Sequence, residues 1–213
     1  MNIEMIKEVA IAEILNPTFE LTKQYLKSIE ICVNNNVPVI EDIEIDQTIN
    51  TAAVYFPIKK QSFYFVIYVK DMEVDWVNTS AGNNVYLFAC SQEVTTDEML
   101  SSFQLEPTEK WNINDQIGKC GRRKHNGFIF QPINKMTGEV ESKLNTLLDL
   151  LLPRNRSIVE LSQKAEVEIQ IEYHGYKDEM LGINLDSTIV KKLTELGLGI
   201  DIDLYASGRD LDD

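Results

Sequence analysis

From Glu166 to Tyr173 the chain alternates without a break, with Val167, Ile169, Ile171 and Tyr173 in one phase and Glu166, Glu168, Gln170 and Glu172 in the other. Successive side chains of a β-strand leave on opposite sides, so a period of two marks a strand with one packed face and one wet face. Near the end of the chain Ile200, Ile202 and Leu204 interleave with Asp201, Asp203 and Tyr205 in the same way. Two strands of this design require a sheet that is covered on one side only.

The cover is legible as amphipathic helices. Val140, Leu144, Leu147, Leu148 and Leu151 form one apolar stripe that ends before Pro153, with Lys143, Asn145 and Asp149 on the wet face. Asp186 is placed to cap a helix in which Ile189, Val190, Leu193 and Leu196 face inward and which Gly197 ends. Two capping boxes, Thr95 with Glu98 and Ser157 with Glu160, open helices that carry Met99, Leu100 and Phe103 in the first and Val159 and Leu161 in the second. Residues 18 to 33 place Leu21, Tyr25, Ile29, Cys32 and Val33 on one helical face, with Thr18 as N-cap and Asn34 to Asn36 as the stop. Residues 1 to 15 suit a helix or a strand equally.

Upstream, Thr51 to Pro57, Phe63 to Val69, Val74 to Val77 and Val85 to Ala89 are rich in aromatic and β-branched residues and read as a meander. The fold class is therefore α+β, a mainly antiparallel sheet covered by amphipathic helices. Its C-terminal part should run strand, helix, strand, helix, helix, strand, helix, strand. Gly82 to Asn84 divides the chain into an N-terminal α+β part, 1–82, and a C-terminal α+β domain, 83–213. Each part has a strand-like segment followed by a helix and further strands, which suggests two related α/β sub-domains without a sequence repeat.

Charge narrows the partners. The 213 residues hold 34 acidic against 20 basic side chains, a formal net charge of -14. Such a chain is repelled by nucleic-acid phosphates and anionic membranes and attracts basic surfaces. Cys32, Cys90 and Cys120 are odd in number and widely spaced, offering neither a disulfide framework nor a zinc half-site. Glu4, Lys7, Glu8 and Glu13 interrupt the first apolar stretch, and no window approaches the ~20 apolar residues of a membrane span. A cytoplasmic protein that needs no cofactor is expected, and no catalytic motif is recognisable.

Several groups of residues carry chemistry. Asp201 and Asp203 emerge on one face of a regular strand about 7 Å apart, a spacing that suits a metal or paired acid–base work. The plain alternative is that they sit on the wet side, or pair with Arg122 and Arg123. With Glu166, Glu168 and Glu172 they build a continuous negative face if the two strands are neighbours. Such a face needs a basic cover, from a partner or from this chain's own helices. Lys119, Arg122, Arg123, Lys124 and His125, set around Gly118 and Gly121, form a basic loop of the kind that cradles an anion, although it matches no nucleotide motif. Cys120 and His125 offer a nucleophile and a base without a third orienting group. His174, before Gly175, reads as a solvated turn residue, and Trp76 and Trp111 read as buried anchors.

The run LEPTEKW from Leu105 to Trp111, the glycine and basic segment from Gly118 to Lys124, the helix KLNTLLDLLLP and the closing GIDIDLY from Gly199 to Tyr205 resemble the bacterial domain of unknown function 4279 family, over about residues 84 to 207. That family often has a tryptophan in the strand after the basic segment, where this chain has Gly127-Phe128-Ile129-Phe130. The resemblance implies no established activity. Its members are similar to small acidic proteins encoded beside bacterial toxins, which implies an immunity role. The expected function is thus a non-enzymatic binding protein whose acidic sheet face contacts a basic protein such as a cognate toxin, with no nucleic-acid or membrane partner. The other expectation is a small-anion or nucleotide sensor or enzyme that uses the Gly118 to His125 loop.

Overall fold

The computed structural model describes residues 2–119 and 121–211. It opens with helix α1 (Ile3–Leu15), capped by Asn2, whose side chain accepts from the Glu4 amide at 3.0 Å. Ile6, Ala10 and Glu13 turn inward at helical spacing, which resolves the ambiguity of the first segment in favour of a helix. Helix α2 (Glu20–Ser28) is shorter than its apolar spacing implies, and Thr18 does not cap it. The Thr18 amide and hydroxyl donate instead to the buried Glu13 carboxylate, at 3.0 Å and 2.6 Å. Ile29 is already extended, and Val33 belongs to a small hairpin of β1 (Val33–Asn34) and β2 (Val37–Pro38). The asparagines expected to stop the helix make the hairpin turn, because Asn35 and Asn36 take φ of 50° and 63°, the left-handed region that asparagine tolerates best after glycine.

Four antiparallel strands follow in the order β3 (Asp42–Asp46), β4 (Thr51–Pro57), β5 (Tyr64–Lys70), β6 (Glu73–Ser80). Ala52, Val54, Phe56, Phe65, Ile67, Val69 and Val77 of this sheet are buried with Ile6, Ala10 and Tyr25 of the two helices. Strand β7 (Gly82–Ser91) is separated from β6 by Ala81 alone and joins a different sheet, so the expected meander splits after its third strand. Trp76 on β6 is 52% exposed and anchors nothing, contrary to its expected role.

The second sheet is built from β7, β8 (Glu109–Trp111), β11 (Asn126–Phe130), β12 (Glu166–Tyr176) and β13 (Gly199–Ser207), after a hairpin of β9 (Gln116–Ile117) and β10 (Gly121–Arg122). Its spatial order is β13-β12-β7-β11-β8, antiparallel except for the β12–β13 pair. Helices α3 (Thr96–Phe103), α4 (Val140–Leu151), α5 (Asn155–Ser162) and α6 (Ser187–Leu196) appear in the order read from the sequence. The Thr95–Glu98 box, the Asp186 cap and the left-handed Gly197 are all present. Ser157 caps nothing, because a 3-10 turn over Leu152–Arg154 runs straight into α5 and turns Ile158 inward rather than Val159. Val190 likewise stands on the exposed side of α6. Leu144, Leu147, Leu148 and Leu151 are fully buried, each stabilising the fold by about 2 kcal/mol before entropy is counted.

Lys143 of α4, expected on the wet face, is 4% exposed. Its Nζ donates to the carbonyls of Lys135 at 2.7 Å and Asn83 at 2.9 Å. The Lys135 side chain bridges in turn to Asp42 at 2.9 Å and Glu44 at 2.7 Å on edge strand β3. The far end of β12 reaches the first core too, where Tyr176 packs with Phe63 and Tyr25. The two sheets are thereby joined through one loop and one strand end.

Candidate functional site

Val85, Leu87, Ala89, Phe128, Ile169 and Ile171 are buried against α3 to α6, so the residues of opposite phase in the same strands lie on the face without helices. Register places them precisely relative to one another. Between β12 and β13, Gln170 stands opposite Asp201, Glu172 opposite Asp203 and His174 opposite Tyr205. Between β12 and β7, Glu166 faces Cys90, Glu168 faces Phe88, Gln170 faces Tyr86 and Glu172 faces Asn84. Glu166, Glu168, Glu172, Asp201 and Asp203 therefore share one sheet face, with Glu166, Asp201 and Asp203 exposed and Glu168 and Glu172 half-buried.

None of these carboxylates makes an ion pair among the described residues. Neutral donors hold Glu172 and Asp203 instead. Asn84 Nδ2 and Tyr86 OH donate to the two oxygens of Glu172, each at 2.9 Å, and Gln170 Nε2 donates to Asp203 at 3.3 Å. Burial and the Glu172 carboxylate hold the Tyr86 phenol far above its ordinary range, so it stays a donor. The charges are positioned but not neutralised. Glu168 feels this most, since burial, then Asp201 and Glu166, raise its carboxyl above the usual range. A carboxyl with a raised folded pKa favours the fold while protonated, and that contribution is lost as pH rises through the glutamate range. Glu168→Gln should therefore melt higher than the parent at pH 7, with the difference closing below about pH 4.5 and narrowing at high salt as the fields of Asp201 and Glu166 are screened. Thermal melts across pH and salt check this.

The opposite end of the face is aromatic and basic. Trp111, buried as expected, stacks on Phe88 with ring centroids 5.9 Å apart, and Arg123 lies over its ring at 4.2 Å. His125 meets the edges of both rings. The basic loop thus divides. Arg123 and His125 turn to Trp111, while Lys119 and Arg122 line a small concavity on the β9–β10 hairpin with Gln116 and Gly121. Lys124 is exposed. Arg122 donates to the Asn114 carbonyl at 3.4 Å, so Arg122 and Arg123 do not pair with Asp201 and Asp203.

Cys120 lies outside the described residues. Cys90, His125 and Glu166 line a cavity of about 520 Å³ at the end of β7. The Cys90 thiol donates to Glu166 at 3.7 Å and is pushed up to about 11 by burial and by Glu166 and Glu168. A thiol kept protonated in this way is a poor nucleophile. No group of three or more His, Cys, Asp and Glu side chains among the described residues could hold a metal ion, so Asp201 and Asp203 lack the further ligands a cation needs. His174 lies within β12 rather than in a turn and stacks on Tyr205 with centroids 4.6 Å apart. Among the described residues no helix is long and apolar enough to cross a membrane.

A family model described as Domain of unknown function (DUF4279) matches residues 80–207. The chain belongs to this family. No curated protein and no solved structure matches it. The DUF4279 region begins at the last residue of β6 and ends at the last residue of β13, so it holds the whole five-stranded sheet and the acidic face. Within it, Gly127 replaces a side chain with space for Trp111, because a Cβ there would lie 2.5 Å from Cζ2 of that ring. The supporting residues Asn84, Tyr86 and Phe88 went unread in the sequence. Their signal was present, since they alternate with Val85, Leu87 and Ala89 as the acidic residues do with isoleucines.

Proposed function

We propose that this chain is an intracellular binding protein, of the immunity type, that docks a basic protein partner on the helix-free face of its DUF4279 sheet. The single observation that supports this reading is the alignment of Glu166, Glu168, Glu172, Asp201 and Asp203 on one face, unpaired with any cation among the described residues. Like charges directly opposite each other, such as Glu172 and Asp203, destabilise a sheet, and a basic partner would offset that cost. A field of one sign also accelerates encounter with a complementary surface. The aromatic end, where Phe88 stacks on Trp111, offers apolar area for an anchor beside the charged zone.

The test compares the parent with a variant carrying Glu166→Gln, Glu168→Gln, Glu172→Gln, Asp201→Asn and Asp203→Asn, both immobilised and exposed to extract of the cells that encode the protein. A basic protein should bind the parent at low salt, be released at high salt, and bind the variant at least tenfold more weakly once purified. Growth of cells making that protein should recover when the parent, but not the variant, is co-produced. Retention of the same proteins by parent and variant at every ionic strength would refute the proposal.

A further inference from the structure

A basic concavity of this acidic chain lies away from the DUF4279 sheet face, where three distant segments meet. Lys27 comes from the last turn of α2, Lys59 and Lys60 from the turn between β4 and β5, and Arg209 from the segment after β13. Together with Ser28, Gln61 and the apolar Ile29 and Ile58 they line a cavity of about 360 Å³. Four cations against the one carboxylate of Glu30 leave a local charge of +3 in a chain whose net charge is -14.

The cations are poorly compensated. Lys59 pairs with Glu30, but Lys27, Lys60 and Arg209 make no ion pair among the described residues. Their field is felt locally, since Glu30 is held below the usual carboxylate range first by Lys59 and then by Lys60 and Arg209. The framework around them is fixed. Tyr176 OH donates to the Arg209 carbonyl at 2.5 Å and Ser28 Oγ to the Asp210 carbonyl at 2.8 Å, which ties the last segment to the first core. Ser207 Oγ donates to Gln61 Oε1 at 2.7 Å, leaving the Gln61 amide hydrogens without a partner among the described residues. The Gln61 backbone N–H donates to the Ile58 carbonyl at 3.2 Å and closes a turn in which Lys60 takes φ of 61°. Glycine or asparagine would adopt that conformation with less strain, so a lysine there sits at a cost to the backbone.

We propose that this cavity is a binding site for a small molecule bearing a polyphosphate group, held by Lys27, Lys60 and Arg209 above a floor of Ile29 and Ile58. Its volume is that of a small-ligand site rather than a peptide groove, and clustered ammonium groups with an arginine fork suit phosphate oxygens. It shares no residue with the acidic face, so it stands or falls independently of the partner-binding proposal.

Isothermal titration at low ionic strength, with inorganic tripolyphosphate and separately with ATP, tests it. Saturable one-to-one binding is expected, and Lys60→Gly and Arg209→Ala should each weaken it roughly tenfold. Lys60→Gly relieves the positive φ and should melt no lower than the parent, so loss of binding cannot be laid to misfolding. A Lys119→Ala, Arg122→Ala double variant of the β9–β10 hairpin should bind as the parent does. Tighter binding of ATP would place its base on the apolar floor, and equal binding would assign the site to the phosphate chain alone. The proposal is overturned if neither probe saturates, if Lys60→Gly and Arg209→Ala leave affinity unchanged, or if the hairpin variant loses it.

Discussion

The Gly82→Ala substitution should destabilise the protein by about 3 kcal/mol, the high end of what an overpacked site costs. A Cβ at this position would lie 1.9 Å from the Ser62 carbonyl oxygen, and a backbone atom held in a neighbouring turn cannot rotate away as a side chain can. Gly82 opens β7 with only Ala81 between it and the end of the first sheet, and it pairs there with His174 of β12. Displacing it therefore strains the passage between the sheets as well as the first rung of the β7–β12 ladder. For a chain of this length the midpoint of thermal unfolding should fall by roughly 6 to 12 °C. Chemical denaturation with fluorescence detection gives the same quantity independently. A change below about 1 kcal/mol would show that the turn at Ser62 yields.

Lys143 carries the second large effect, and its sign depends on pH. Burial, reinforced by the charge of Lys135, pulls its ammonium down to about 8 against the opposing pull of Glu44 and Asp42. Between that value and the ordinary lysine range the unfolded chain binds the proton that the folded chain has lost, so stability rises with pH across this window. Lys143→Met keeps the stem but leaves the carbonyls of Asn83 and Lys135 without their donor, a loss of about 1 to 3 kcal/mol for each fully desolvated carbonyl. It also removes the titration. The parent should gain on Lys143→Met by on the order of 3 kcal/mol as pH rises from about 8 towards 10.5. Denaturant unfolding of both proteins at several pH values in this range measures the gain. Parallel stability profiles would mean that the amine is not perturbed by its burial.

What was legible in the sequence and what was not divides along a physical line. Helix α4, helix α6 and strands β12 and β13 were readable because each is specified by its own periodicity, and α6 by its caps as well. The shared face of Glu168, Glu172, Asp201 and Asp203 needed one further fact, the adjacency of β12 and β13, which no local pattern encodes. Val85 to Ala89 reads like the strands before it, and only packing against α4 assigns it to the second sheet. Lys143 lies on the polar side of its helix by composition, yet a loop from residue 131 to 139 folds over that side, and its Lys135 carbonyl, with that of Asn83 on β7, substitutes for water. The hidden hairpin at Asn35 and Asn36 shows the limit of reading an asparagine run as a mere stop. The cavity of Lys27, Lys60 and Arg209 was out of reach, because its parts are separated by most of the chain and each alone is an ordinary surface cation.

The parallel pairing of β12 with β13 has a consequence for how this surface changes over generations. A slip of one residue along β13 would send Asp201 and Asp203 under the helices and bring Ile200 and Ile202 to the outside. Any lineage that keeps this protein folded must therefore keep the two strands in step, even where no partner exerts selection. The geometry of the charged surface is inherited with the core, and only the identity of the outward side chains is left free to drift or to adapt.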